Sequence, residues 1–335
     1  MVKNLSKLAA SILIYAGFAF YLYLPYFKHF RKFDYLIVVS VCVGALGCYV
    51  LSGRWIAGFW ARFFAGAIYG FGPFFLGLGK FHPTVSLLAA SIPWLFCPAA
   101  IFYKYRRKWT TAVLALLPFI AIVFFFQVSY QCKFFAIPIQ TRLSASDMAG
   151  LSIPLVMAKR SLLVVGFYHV GLAPLIIGFS MLFAARRYSI MIIFLIGVIL
   201  SFCNPVLNIS PVIWLTIPLL CCSILIGEGM QGLVYAGSSD KTWVLCASAL
   251  LGMLSIVTLL LATRYFRVFA GLGDGYGDLL VKSAQLYIAG TIATAIIFFT
   301  AKVNLHNHLV RWLLICIAMG VDIFFCSGFI IDNIF

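Results

Sequence analysis

The sequence predicts an all-α fold: a polytopic transmembrane bundle of about ten to eleven spans with no soluble domain. Three observations carry that expectation. Of 335 residues, 64% are apolar and only 10% charged, against roughly 45–50% and about 25% in soluble domains. The apolar residues fall in runs near twenty long, the length that crosses about 30 Å of hydrocarbon. No polar stretch between runs is long enough to fold by itself. The whole chain, 1–335, reads as a single integral membrane domain. This composition excludes a soluble enzyme and a disordered chain.

The first run, from Leu8 to about Phe27, follows Lys3 and Lys7. It is too long for a signal-peptide core, and no A-x-A site follows, so it reads as a retained first helix. The next runs cover 35–51, 55–78, 83–103, 109–127, 161–184, 188–203, 205–226, 242–263, 283–301 and 312–331. The run 55–78 contains Arg62 and ends in Gly70, Gly72 and Pro73. The block 188–226 is divided at Asn204–Pro205, because proline breaks a helix. Two longer connections remain. Val128 to Arg160 holds Ser144-x-x-Asp147, a capping box that predicts a short interfacial helix. Arg264 to Lys282 is glycine-rich.

Charge is strongly unbalanced, 24 Lys+Arg against 8 Asp+Glu. The basic residues stand between apolar runs, as at Lys104, Arg106, Arg107 and Lys108, which is where headgroup anchors belong. The expected partner is a lipid bilayer, not nucleic acid. The ten cysteines form no CxxC pair, and nine of them lie in apolar runs, as small buried residues do. No cofactor and no metal site is expected.

Orientation is weakly written. With eleven spans, twelve basic residues fall on one side and eleven on the other, which decides nothing under the positive-inside rule. Arg54–Trp55, Lys108–Trp109, Lys241-x-Trp243 and Arg311–Trp312 are more informative. Each opens a span with a cation for the headgroups and an indole for the interface. All four share one face, so that face is read as cytoplasmic and the N-terminus as inside. The best match is an inner or plasma membrane of bacterial type.

Ionisable residues within apolar runs are expensive in lipid and are functional candidates. Arg62, His169 and Asp322 stand out. Taking Arg54 and Arg311 as one boundary and Arg160 as the other, a rise of ~1.5 Å per residue puts Arg62 about 12 Å deep and Asp322 about 16 Å. His169 lies roughly 13 Å in from the far side. All three are expected near one depth, Asp322 facing inward with Arg62 or His169 as its ionisable partner. His82 and Glu228 are secondary candidates at span ends. Asp274-Gly-Tyr-Gly-Asp278 lacks the ligand series of a calcium loop. His306-x-His308 has no third ligand beside it in sequence. GxSxG, HExxH and Walker-type motifs are absent, and no family resemblance emerges.

Charge at mid-span favours a permease for a small polar or anionic solute, with proton coupling as one mode of drive. Carboxylates near one interface, Asp34, Asp274 and Asp278, would suit a membrane-embedded transferase acting on a lipid or lipid-linked sugar. A structural or assembly subunit needs neither. Clustered prolines, Pro73 to Pro98 and Pro205 to Pro218, mark interrupted helices, as central sites in transporters often use, but no internal repeat accompanies them. Oligomeric state is not encoded legibly.

The shared face yields a topological expectation. Cys132 should react with an impermeant thiol reagent in intact cells. Labelling only after permeabilisation, with Cys132 reactive in detergent, would reverse the orientation.

Overall fold

A computed structural model of the chain describes residues 2–30, 34–81, 83–104, 108–131, 149–155, 166–184, 188–206, 209–263, 273, 275–303 and 307–335. Among them nine helices are long and apolar enough to cross a membrane, and two more, Leu172–Ala184 and Ile190–Phe202, are apolar but shorter. The protein is an all-helical, multi-pass membrane bundle. Among the described residues the only β-contact is an isolated bridge between Val206 and Ile209.

In chain order the helices are α1 (Val2–Tyr23), α2 (Tyr35–Ser52), α3 (Phe59–Gly70), α4 (Pro73–Phe81), α5 (Pro83–Lys104), α6 (Lys108–Ala115), α7 (Leu117–Gln131), α8 (Ala149–Ser152), α9 (Leu172–Ala184), α10 (Tyr188–Phe202), α11 (Pro211–Trp214), α12 (Thr216–Tyr235), α13 (Lys241–Ala262), α14 (Tyr276–Lys302) and α15 (His308–Ile334). A 3-10 turn, Leu24–His29, extends α1. The centre is formed by α2, α3, α9, α12 and α15, with α13 and α14 paired beside it.

The expected span at 55–78 is two helices, α3 and α4, separated at Phe71–Gly72. Pro73 opens α4; it has no N–H and disfavours helical geometry in the residue before it. The helix after the Asn204–Pro205 break does not start at once: residues 203–206 and 209–210 are non-helical and α11 begins at Pro211. Within the expected span 161–184, residues 166–168 are non-helical and the described helix runs from Leu172 to Ala184. Pro174 sits in the first turn of α9, where its missing N–H does no harm. At ~1.5 Å per residue, the 13 residues of α9 cover about 20 Å, short of a full crossing. Gly166, Phe167, Tyr168, His169 and Val170 are all buried. Non-helical backbone within a membrane bundle requires such protein cover.

Ser144, Asp147 and Cys132 lie outside the described residues. The described part of that connection, 149–155, is not surface-lying: Ile153 packs on Leu279 and Leu280, and Phe167 N–H donates to the Leu151 carbonyl at 3.5 Å.

One end of the bundle collects three of the expected anchors. Gln231 on α12 accepts from the Ala57 and Gly58 amides, each at 3.2 Å, and Gly58 lies against the Trp312 ring. Arg311 is not a headgroup anchor. It is buried and donates to the Val234 and Ala236 carbonyls at 3.1 and 2.8 Å and to Thr300 Oγ1 at 3.0 Å. A guanidinium there satisfies carbonyls that the end of α12 leaves unpaired and complements the helix dipole. At the opposite end Tyr26 donates to Asp332 at 2.7 Å, tying the end of α1 to the end of α15.

Glycine lets α9 and α12 approach closely. A Cβ at Gly229 would overlap the Pro174 carbonyl, and one at Gly178 the Leu225 carbonyl. Small residues at such contacts are how membrane helices pack without a hydrophobic driving force. Gly229→Ala should therefore lower the thermal stability of the detergent-purified protein by about 2 kcal/mol or more. Gly320→Ala, where nothing lies within 4 Å, should be neutral or stabilise by about 0.5–1 kcal/mol. Equal behaviour of the two variants would contradict the close α9–α12 contact.

Candidate functional site

A break between two helices, a non-helical segment and one continuous helix meet in the middle of the bundle. The break is Phe71–Gly72, between α3 and α4. The segment is Gly166–Gly171, ahead of α9. The Tyr168 hydroxyl joins them by donating to the Phe71 carbonyl. Beside this junction is a small cavity of about 10 Å³, lined by Tyr69, Gly72, Phe75, Gly166, Phe167 and Ser223 among others. Its size admits at most about one water.

The continuous helix is α15, and Asp322 lies near its middle, fully buried. Its Oδ2 accepts from the Val170 backbone N–H at 2.7 Å. Its Oδ1 lies 3.1 Å from His169 Nδ1 and accepts from the Cys326 thiol at 3.3 Å. Cys326 Sγ is in turn 3.7 Å from His169 Nδ1. Cys326 follows Asp322 by four residues, one helical turn, so both side chains face the same way. His169 and Val170 reach them because they are not in a helix. In an uninterrupted helix the Val170 N–H would be taken by the preceding turn. Here it is free for a carboxylate at the positive N-terminal end of α9.

The imidazole is held edge-to-face against Tyr287 of α14, ring centres 4.8 Å apart. Its Nε2 is buried and has no hydrogen-bond partner among the described residues. A buried polar atom left open costs about 1–3 kcal/mol. Such atoms are rare in folded proteins, and a bound water, a bound ion or a chemical role accounts for them.

The structure brings together Asp322 and His169, and it places Arg62 elsewhere. Arg62 sits in the first turn of α3, and its Nε donates to the Ile56 carbonyl at 2.6 Å, with the guanidinium folded back beside Gly53. The depth arithmetic failed here for a simple reason. Residues 53–58 form a loop at the bundle end, so Arg62 lies nearer that end than a helix running from Arg54 would put it. Glu228 is half-buried within α12 rather than at its end. His82 lies outside the described residues, as do Asp274 and His306.

Sequence reasoning missed Cys326, Tyr168, Tyr287 and Arg311. The four-residue spacing of Asp322 and Cys326 was the available signal, since a helix necessarily brings them together. Comparison with protein-family models, with characterised proteins and with solved structures returns no match.

If Asp322 is the acceptor that holds the unwound backbone, its two replacements separate. Asp322→Ala strands the Val170 N–H and should cost about 3 kcal/mol of stability. Asp322→Asn keeps a carbonyl acceptor and should cost about 1 kcal/mol. Thermal unfolding in detergent measures both; equal losses would show that the Val170 bond contributes nothing.

Proposed function

We propose that the protein is a membrane permease whose central site lies at Asp322 and His169, and that the solute is a small cation or polar hydrogen-bond donor. One observation carries this reading. A buried carboxylate, an imidazole with an open nitrogen and a stretch of non-helical backbone converge beside the break between α3 and α4. Central sites of secondary transporters are built from such parts. With Arg62 turned to the bundle end, the charged side chains at the centre favour a cation over an anion.

Reconstituted proteoliposomes test it. Currents or uptake are measured for a panel of alkali, alkaline-earth and transition-metal cations and small amines. The wild-type protein should move at least one of them saturably. Asp322→Asn, folded by its elution profile, should reduce that flux tenfold or more. No flux of any panel member by the wild-type protein, or full flux in Asp322→Asn, would remove the proposal.

A further inference from the structure

We infer that His169, Asp322 and Cys326 form a binding site for a divalent transition-metal ion of the Zn²⁺ or Co²⁺ class. The inference names a solute class for the centre just described and rests on that reading only as far as transport is concerned. The binding itself stands on geometry. Metal–ligand distances of about 2.0–2.3 Å in a tetrahedral site set ligand–ligand edges of roughly 3.3–3.6 Å. The three donor atoms here are 3.1, 3.3 and 3.7 Å apart, already the spacing of one face of that tetrahedron. The group of three, imidazole nitrogen, carboxylate oxygen and thiol sulfur, is fully buried.

Donor chemistry narrows the ion. Thiolate and imidazole suit borderline and soft cations, whereas Mg²⁺ and Ca²⁺ take oxygen ligands. Charge narrows it again. Cys326 gives up its thiol proton on binding, so thiolate and carboxylate together balance a divalent ion with neutral imidazole as third ligand. A monovalent ion would leave a net negative charge in a medium that penalises it. Part of a supporting shell is present: Val170 N–H fixes the outer carboxylate oxygen, as contacts behind metal ligands do, and Tyr287 packs edge-to-face on the imidazole, while Nε2, the imidazole's other nitrogen, has no hydrogen-bond partner among the described residues. Three protein ligands leave a fourth position for water or another donor, the pattern of exchangeable rather than purely structural sites.

The test uses the full-length protein purified in detergent, stripped with chelator and titrated with Co²⁺. One equivalent should produce d–d bands of four-coordinate cobalt and a thiolate-to-cobalt charge-transfer band, and Zn²⁺ should bleach both. Cys326→Ser should remove the charge-transfer band, and His169→Gln should weaken binding tenfold or more. If either variant fails to fold, X-ray absorption on the wild-type complex decides instead, with one sulfur and the rest nitrogen or oxygen around the metal. Absence of the bands in folded wild-type protein, or an unchanged band in Cys326→Ser, overturns the inference. Metal binding without flux in proteoliposomes leaves the site standing and removes the permease reading. Flux of other cations without Co²⁺ binding does the reverse.

Discussion

The bundle is organised around one hydrogen bond, from the Val170 amide to the Asp322 carboxylate. Backbone that leaves the helix in a membrane must find partners inside the protein, because lipid offers none. The chain is unwound at 166–171, and α15 supplies the acceptor from a helix distant in sequence. Once that bond is made, the rest of the centre follows. Asp322 cannot face lipid, Cys326 one turn on is brought against the same imidazole, and α9 begins with its dipole aimed at a carboxylate. The Tyr168 hydroxyl then satisfies a carbonyl at the other interruption, Phe71. Two breaks that would each be costly alone are made tolerable by each other and by α15.

Elsewhere the helices hold together by means suited to lipid. Exposed apolar faces, such as Leu13, Phe124 and Leu309, gain nothing from leaving one hydrocarbon for another. Close packing and polar contacts remain. Glycines let α9 lie on α12 with backbone nearly touching backbone. Tyrosine hydroxyls reach across to carbonyls, Tyr15 to Phe63 and Tyr69 to Ala89. Ser40 and Ser86 pair between α2 and α5 at 2.9 Å. Each of these contacts gives direction as well as attraction, so the register of neighbouring helices is specified.

Much of this fold was legible in the residues, and the reasons are physical. Run length and composition report directly on hydrocarbon thickness, so the number and approximate position of the spans could be read. Gly72 and Pro73 stood at the end of the run 55–78, where the structure breaks the helix, whereas 161–184 read as one continuous span and only the structure shows that 166–168 are not helical. Gly166 and Pro174 flank an apolar segment that would otherwise pass for an ordinary helix. The centre was legible in part. Asp322 is short, charged and mid-span, so lipid could not be its environment. Arg62 was misplaced because counting residues assumes a helix from Arg54, and a loop intervenes. Arg311 looked like an interfacial anchor beside Trp312. No local pattern reports that the end of α12 would lie beside it in space.

The polar contacts on α15 are spaced along its length: Arg311 at one end on α12, Asp322 in the middle on the unwound segment, Asp332 at the other end on Tyr26. The outer two are commonplace solutions to commonplace problems, a helix terminus and an exposed tyrosine. The middle one is different in kind. A helix can be anchored at mid-span with apolar packing, and replacing a buried polar cluster with well-packed apolar residues is often neutral or stabilising. A bundle built only for stability would have no need of a carboxylate, a thiol and an imidazole with one open nitrogen at its driest point. The non-helical backbone at 166–171 beside it also forgoes helical hydrogen bonds. Both features run against stability in the same place, and ionisable groups inside a membrane bundle are functional candidates by default. That coincidence, more than any single distance, is the support for proposing a binding site at the centre of this bundle.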